Sequence, residues 1–372
     1  MGEVLEQRGA QRARIRQVID EVCAEAQQTS LIFITNLRKG PMIDVDPTGI
    51  INTAQYYSEA KADTIIRTFQ DVGFHVLPFF SEAAFMKAVL DRSLYAQTKE
   101  RRMVFTSAEG GQGSGRRALI PAFCRLVGLP VCNSGPHGCS VARHKFHASM
   151  ILREAGLPVP QTWLLHAERG WIGGTAPPAG RRVIVKPTYE SASIGVDETS
   201  VRVVDPSFQA YAETQARRFG QPATVQEYIV GREFGIPLIE LDEAEALPVM
   251  EYVMDGATQF FEEPRTFTQE NVEERVSTIP ATDLPEGQLS LLAEIAVAAF
   301  NVLEMGATGR MDVRLDSEGR PWIFDTNESP PPVANTCYAR SLETLGFGTA
   351  DMLALWVGAA MRRDGFGRRV QV

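Results

Sequence analysis

The predicted β-hairpin at residues 309–332, GRMDVRLDSEGRPWIFDTNESPPP, constrains the fold more than any other segment of the chain. Two apolar runs flank the turn sequence DSEG, and acidic residues recur inside both runs. Pairing back from the turn predicts, to within one residue, that Asp312 lies opposite Ile323 and that Arg310 lies opposite Asp325. Because alternate side chains of a strand share a face, the pattern predicts one face that carries Arg310, Asp312, Arg314, Asp316, Ile323, Asp325 and Asn327.

The polar residues on this face need a physical explanation. An isolated buried carboxylate is costly, so these acids must either face water or have a partner. With diagonal neighbours about 7–8 Å apart, one face can gather Arg310, Asp312, Asp325 and Asn327. Such an oxygen-rich set suits Mg²⁺, which completes its shell with water and substrate phosphates, and the arginine would lie beside those phosphates or a developing oxyanion. The alternative is a solvent-exposed face with a weak Arg–Asp pair.

Composition narrows the class of protein. A chain of 372 residues has room for about two or three domains. Its net charge of −9 provides no basic field, so we expect neither nucleic acid nor a membrane surface as a partner. The sequence has no apolar run of about 18 residues and no secretion signal at its polar N-terminus, so we expect no membrane span. Five cysteines, an odd number, do not indicate a disulfide framework, and we expect a cytoplasmic protein.

The order of strands and helices predicts two kinds of sheet. Strands alternate with helices over roughly the first 135 residues, which indicates a parallel α/β sheet. The glycine-rich stretch EGGQGSG at 109–115 follows a strand but contains neither GxGxxG nor GK[ST], so we expect an active-site or connecting loop there. A single helix is predicted from residue 140 to a stop at Gly156. Beyond it, strands with few crossovers predict antiparallel sheets packed by helices.

Several side chains outside the hairpin suit a nucleotide. Lys186 ends a β-branched strand before a serine-rich loop, and a lysine with loop amides is one way to hold a polyphosphate. Gln226 and Glu227 lie at another strand end, whose backbone could pair with an adenine edge, and Glu233 could accept from ribose hydroxyls. Lys145, on the predicted helix, is by itself as easily a surface lysine.

The order of these segments resembles the ATP-grasp carboxylate–amine ligases, and most closely the D-alanine–D-alanine ligase group. The resemblance covers roughly 128–337, and the matching segments are NSGPHGCSVARHK, VIVKP with its serine-rich loop, QEYIVGRE, GRMDVRLD and FDTNESP. The resemblance implies an α/β N-terminal domain followed by an ATP-grasp fold, an α+β architecture in which two antiparallel-sheet subdomains clasp ATP. The implied boundaries are 1–139, 140–224 and 225–372.

The resemblance also assigns a role to each candidate residue. The residues that would contact ATP are Lys145 and Lys186 at the phosphates, Ser191 and Ser193 in the covering loop, and Gln226, Glu227, Ile229, Glu233 and Phe324 around the nucleoside. Those that would carry two Mg²⁺ ions, with Mn²⁺ as a substitute, are Asp312, Asp325 and Asn327. Arg310 would stabilise the oxyanion. The implied reaction activates a carboxylate as an acylphosphate, with release of ADP, and an amine then displaces phosphate.

Departures from the group's pattern concern the substrates. Asp325 stands where the group has Glu, and Pro331 replaces a glycine whose N–H assists the oxyanion; proline has no N–H. The loop 257–278 carries Gln269 near where the group has a lysine, and the group's substrate-binding N-terminal glutamate has no counterpart in ITNLRKGPMID. We therefore expect the ATP chemistry to be retained and the amino-acid pocket to be altered.

Three hypotheses for function follow. The first is an ATP-dependent ligase that forms an amide or peptide bond between amino-acid-like substrates, in specialised metabolite synthesis. The second is a D-alanine–D-alanine ligase of cell-wall synthesis. The third, a non-catalytic nucleotide-binding regulator, has no need of the complete metal face. The partners implied are small amino-acid or carboxylate substrates, and a second copy of the chain bound through the N-terminal domain.

Overall fold

The computed structural model describes residues 2–39, 56–111, 113–191, 193–258, 261–262 and 276–364. The described helices are α1 (Gly2–Ala26), α2 (Glu59–Val72), α3 (Glu82–Leu90), α4 (Ser93–Gln97), α5 (Leu119–Val127), α6 (Pro136–Arg143), α7 (Lys145–Glu154), α8 (Phe208–Arg218), α9 (Glu286–Val302), α10 (Cys337–Glu343) and α11 (Thr349–Asp364). The described strands are β1 (Thr29–Ile34), β2 (His75–Phe79), β3 (Arg101–Thr106), β4 (Thr162–His166), β5 (Gly170–Trp171), β6 (Arg182–Pro187), β7 (Val201–Val203), β8 (Ala223–Glu227), β9 (Arg232–Glu240), β10 (Ala244–Ala246), β11 (Met250–Met254), β12 (Val276–Pro280), β13 (Thr308–Leu315) and β14 (Pro321–Asn327).

The N-terminal part contains the parallel sheet that the alternating strands and helices predict. Its strand order is β2-β1-β3, and every residue of the central strand β1 is buried because helices cover both faces. The C-terminal helix α11 packs against α1 and α2 in this layer. Its Trp356 stacks on Phe105 of β3 with ring centroids 6.0 Å apart. The last described helix therefore belongs to the core of the first sheet.

The remaining strands form two antiparallel sheets, which confirms the prediction made from the sequence for this part of the chain. One has five strands in the order β5-β4-β8-β6-β7, and α8 covers it. The other runs β12-β11-β9-β13-β14, with β10 added beside β9. Helix α9 packs on its core face, where Leu292 and Ala296 meet Ile236, Met311 and Val313. Burial of these apolar side chains leaves the opposite face of β13 and β14 for polar residues.

The predicted single helix over 140–156 is wrong in one respect. The chain breaks at His144, whose φ of −91° and ψ of 87° are not helical, so α6 and α7 are separate helices. His144 Nδ1 accepts from the backbone N–H of His147 at 3.4 Å and caps the second helix. The backbone N–H of Lys145 meanwhile donates to the Thr188 carbonyl at 3.4 Å. The break makes Lys145 the first residue of α7.

The predicted register of the hairpin is also wrong, by two residues on the return strand. Asp312 pairs with Asp325 and Arg310 with Asn327, while Val313 pairs with Ile323. A β-bulge between Asp312 and Val313 accounts for one residue of this shift, because two residues of β14 then span one step of β13. The other residue is already present on the turn side of the bulge, where the pairing differs from the prediction by one. Ile323 consequently enters the core and does not share a face with Asp325, although the alternation predicts that it does.

Candidate nucleotide and metal site

A pocket lies between the two antiparallel sheets, with β6 and β8 on one side and β9, β13 and β14 on the other. Arg310 and Asn327 do not line this pocket, but they lie on the same strands as its acidic residues. The predicted site residues that line it are Lys145, Lys186, Ser191, Ser193, Gln226, Glu227, Ile229, Glu233, Asp312, Phe324 and Asp325. Residues far apart in sequence are thus brought together by the packing of the two sheets.

Two lysines reach the same end of the pocket from different elements. Lys145 donates through Nζ to the Glu190 carbonyl and lies 3.7 Å from Asp325 Oδ1. Lys186 is only 8% exposed, and its Nζ donates to Gln226 Oε1 at 2.9 Å. Burial lowers the pKa of Lys186 to about 8, against the opposing effect of Asp325. The two ammonium groups form a compact positive region suited to phosphate oxygens.

The serine-rich loop after β6 closes this end of the pocket. Ser193 has a φ of +56°, and its carbonyl accepts from the Val196 N–H at 3.0 Å. A Cβ at Gly195 would lie 2.5 Å from Pro187 Cγ, so only glycine fits there. The loop therefore folds tightly against the end of β6, with Ser191 and Ser193 lining the pocket.

The hairpin supplies the acidic side of the pocket. Arg310 donates through Nε to Asp312 Oδ1 at 2.7 Å and through Nη2 to Oδ2 at 2.8 Å. Burial would raise the pKa of Asp325, but Lys145, Lys186 and Arg310 outweigh it and lower that pKa. Asn327 Oδ1 accepts from the Ser329 N–H at 3.1 Å. The bulge thus places two carboxylates side by side, each offset by neighbouring cations.

Part of the pocket lining is apolar. Phe324 lies here, 5.7 Å from Lys186 Nζ measured to its ring centroid. Glu227 lines the pocket, but its carboxylate accepts from the exposed Arg181 at 2.8 Å, so the backbone of this strand end is what it offers a ligand. Tyr228 is buried beside Ile229 and donates its hydroxyl to the Phe261 carbonyl at 3.1 Å.

Sequence reasoning placed Arg314 on the pocket face but gave it no role. Arg314 donates to Glu233 Oε2 through Nε at 3.2 Å and Nη2 at 2.9 Å, and through Nη1 to the Ile229 carbonyl at 2.7 Å. Its guanidinium carbon lies 4.8 Å from the Tyr228 ring centroid and 5.2 Å from that of Phe324. The only sequence signal was its spacing of two residues from Asp312.

The profile of a known family matches residues 151–357, which is more than half of the chain; that family is described as D-ala D-ala ligase C-terminus. This chain belongs to the D-alanine–D-alanine ligase family. It is 27% identical to the uncharacterised protein y4sG of Sinorhizobium fredii over 85% of this chain and 94% of that one. It is 28% identical to the D-alanine–D-alanine ligase of Bordetella petrii, over 69% of this chain and 75% of that enzyme.

Solved structures agree on the fold of this D-alanine–D-alanine ligase family member. The D-alanine–D-alanine ligase of Bacillus anthracis, in complex with ATP, superposes with a TM-score of 0.65 at 13% identity, over 90% of this chain and 98% of that one. The VanG D-Ala:D-Ser ligase of Enterococcus faecalis superposes with a TM-score of 0.62 at 15% identity, over 90% of this chain and 100% of that one. The predicted fold class, an α/β domain followed by an ATP-grasp fold, is confirmed.

A buried ionic network beside the pocket was missed by sequence reasoning. Arg116 donates to both carboxylate oxygens of Glu190, at 3.1 and 2.8 Å, and both side chains are nearly inaccessible to solvent. Glu109 accepts from Arg117 and Arg143 in the same network. Arg116 directly follows the stretch 109–115, predicted as an active-site or connecting loop, and contacts the residue that precedes Ser191. The charged residues that flank the glycines of this stretch were the available signal.

Other predictions for the substrate end of the site fall partly outside the described residues. Gln269 and most of the loop 257–278 lie outside them, as do residues 40–44 of ITNLRKGPMID. Pro331 follows β14 four residues after Asn327, in a described segment without helix or strand. Among the described helices, none is long and apolar enough to cross a membrane.

Proposed function

We propose that this chain is an ATP-dependent carboxylate–amine ligase that joins two amino-acid-like substrates through an acylphosphate. The observation that carries this proposal is the convergence of Lys145, Lys186, Asp312 and Asp325 in one pocket. Family membership supports a ligase that forms a C–N bond. The B. anthracis relative is described in complex with ATP, and the proposed pocket has the charges that a triphosphate requires.

The nucleotide would bind with its phosphates at the lysines and its nucleoside at Phe324. Lys145 and Lys186 would contact phosphate oxygens, and the loop that carries Ser191 and Ser193 would cover them. The strand-end backbone at Gln226, Glu227 and Ile229 would face the base, with Phe324 packed beside it. Glu233 would accept from the ribose hydroxyls.

Magnesium would be held by Asp312, Asp325 and Asn327. The residues fit the ion, because carboxylate and amide oxygens are hard ligands and the two carboxylates are paired directly across β13 and β14. No cluster of three or more His, Cys, Asp or Glu suited to a metal occurs in the described part of the chain. Mg²⁺ does not require one, because water and phosphates complete its shell. When bound, two such ions, or Mn²⁺ in their place, would neutralise phosphate charge.

The proposed reaction has two displacements. A substrate carboxylate oxygen attacks the γ-phosphorus, the bond to the bridging oxygen of ADP breaks, and an acylphosphate forms. The amine nitrogen of the second substrate then attacks the acyl carbon and loses a proton to solvent, and phosphate leaves with the electron pair of the broken C–O bond. Arg310, held by Asp312, would stabilise the negative charge that develops on the oxygen bonded to that carbon. The chain contributes chiefly positioning and charge.

The substrates would differ from those of the cell-wall enzymes. Pro331 cannot donate an N–H to the oxyanion, and the buried Glu328, one residue after Asn327, lies 3.4 Å from Arg117. These features support a role in specialised metabolite synthesis. The names of the Bordetella relatives favour the second candidate, a D-alanine–D-alanine ligase.

An assay of ADP release distinguishes the two candidate functions. Purified protein with Mg²⁺ and ATP is assayed across a panel of amino-acid pairs that includes D-alanine alone. Substrate-dependent ADP from a pair other than D-alanine supports the first proposal, and ADP from D-alanine alone supports the second. No substrate-dependent ADP from a broad panel, or undiminished activity in Asp312→Ala, would overturn the ligase proposal, and ATP binding without turnover would favour a regulator.

The domain boundaries, the cellular location and the oligomeric state are also proposals. We propose domains at 1–139, 140–224 and 225–372, with α11 returning to the first. The five cysteines, all within the described residues, form no disulfide, and four are buried, which supports a reducing cytoplasmic location. A homodimer through the N-terminal domain would follow the group, and sedimentation of the purified protein tests it.

A further inference from the structure

Arg314 forms a three-way connection at the nucleoside end of the pocket. Two of its N–H groups donate to Glu233 on β9 and a third donates to the Ile229 carbonyl in the β8–β9 linker. Tyr228 and Phe324 flank the guanidinium plane at 4.8 and 5.2 Å. Stacking on aromatic rings and a fork-shaped donor set fix the orientation of an arginine in a way that a lysine does not match.

Glu233 depends on this arginine. The glutamate is 1% exposed, and a buried carboxylate without a cation would be strongly disfavoured in its ionised form. Arg314 donates two N–H groups to the Oε2 atom of this carboxylate. An ionised carboxylate has about four acceptor positions, so it can hold the arginine and still accept a hydroxyl of a bound molecule.

We propose that Arg314 is a positioning residue for the nucleotide sugar. Its guanidinium holds the Glu233 carboxylate in place against the Ile229 linker, so that the carboxylate accepts from ribose hydroxyls. This inference rests on the proposed function only in taking the pocket as a nucleotide site. Because the guanidinium touches the glutamate and the linker together, it couples recognition of the sugar to the strand end that faces the base.

A purely structural role makes a different prediction. If Arg314 only stabilises the packing of β9 on β13, its loss weakens the binding of all nucleotides equally and lowers the melting temperature of the protein. If it positions Glu233, its loss acts specifically on the hydroxyls. The distinguishing quantity is the ratio of the Kd values for 2′,3′-dideoxy-ATP and ATP, which a change in stability alone does not alter.

The experiment measures the binding of both nucleotides by calorimetry with Mg²⁺ present, and no amino-acid substrate is required. We expect wild-type protein to bind ATP about tenfold or more tightly than 2′,3′-dideoxy-ATP, the effect of losing hydrogen bonds to a charged acceptor. In Arg314→Met and in Glu233→Gln this ratio should fall to nearly one. The double variant should lose no more affinity for ATP than Glu233→Gln alone loses, since the two residues act as one unit.

Two further variants complete the design. Arg314→Lys keeps the charge and loses the fork, and should give an intermediate ratio; it also replaces Arg314→Met if that variant does not fold. Arg320→Met removes an exposed arginine from the turn of the same hairpin and should leave the ratio unchanged. A wild-type ratio near one, or an unchanged ratio in both Arg314 variants, overturns the inference. Nucleotide binding without ADP release from any substrate would overturn the proposed ligase function and leave this measurement intact.

Discussion

At the scale of single residues, the candidate site is a set of charges that compensate one another. Lys186 is buried beside Gln226 and lies under the influence of Asp325, while Arg310 and Asp312 form a two-bond pair. Compensation of this kind keeps ionised groups in a site that is partly shielded from water. It also means that changing one charge alters the protonation of its neighbours.

The pH dependence of activity should reflect the protonation of Lys186. Its pKa is lowered to about 8, chiefly by burial; Asp325 and Glu233 oppose this lowering, and Lys145 and Arg314 contribute to it. Only the protonated form attracts phosphate, so kcat/KM for ATP should fall as pH rises through about 8 in the free enzyme. In Lys186→Arg the charge persists to much higher pH, so the alkaline fall should move upward. An identical pH profile in both proteins would contradict this assignment.

Replacement of Asp325 should raise the requirement for magnesium. Asp325→Asn keeps the size of the side chain but removes a charge that faces both lysines, so we expect the Mg²⁺ concentration for half-maximal ADP release to rise about tenfold or more. Glu318→Gln, on the exposed turn of the same hairpin, is the matched control and should change nothing. An equal response of both variants to Mg²⁺ would argue against Asp325 as a ligand.

At the scale of elements, the bulge in β13–β14 and the close approach of the β8–β9 linker shape the pocket. The bulge lets Ile323 enter the core while Asp325 faces the lysines. The linker lies against the end of β13 at Gly231, where an added Cβ would lie 2.1 Å from the Leu315 carbonyl oxygen. Both are local backbone features whose effect is to aim side chains into the site.

Gly231→Ala should therefore disrupt the pocket. The methyl group collides with backbone, which cannot move as a flexible side chain could, so the linker must shift away from β13. We expect weaker ATP binding and a loss of stability of about 1–3 kcal/mol, measured by calorimetry and by urea unfolding. Gly287→Ala, in the first turn of α9 with nothing within 4 Å, should be neutral or slightly stabilising. Equal effects of the two changes would contradict this account.

At the scale of the whole molecule, the N-terminal part is tied to the candidate site by buried charges. Arg116, beyond the glycine-rich loop, pairs with Glu190, whose carbonyl accepts from Lys145. Gln221 also donates to Glu190, at 2.9 Å. The serine-rich loop that lines the pocket therefore begins next to a residue that the N-terminal part holds in place.

Arg116→Met should destabilise the protein more than the loss of a surface ion pair does. Removal of one partner leaves Glu190 buried without its main cation, at a cost of about 3–5 kcal/mol, measured by urea unfolding. The double change Arg116→Met with Glu190→Met should recover part of this loss. Arg217→Met breaks the exposed helical pair with Glu213 and should cost less than about 0.5 kcal/mol. A loss at Arg116 no larger than at Arg217 would rule out a structural role for this pair.

Periodicity and local chemistry were enough to predict much of this protein. The alternation of strands and helices predicted the parallel sheet, while the ATP-grasp fold was implied by the resemblance of the short motifs and their order to a known family. Local pattern could not predict the break at His144, because the N–H that leaves the helix bonds to Thr188, which is distant in sequence. Nor could it predict the hairpin register, because alternation counts residues and cannot detect the extra one in a bulge.

What the sequence by itself determined is the type and order of the elements and the residues that can carry charge or bind metal, since these depend on side chains within one strand or helix. Tertiary structure alone decided how those residues pair. It joined Arg314 to Glu233, Arg116 to Glu190 and Trp356 to Phe105. The physical reason is that such pairs form between elements distant along the chain, where no sequence period operates, and buried charges then take whichever opposite charge the packing brings near.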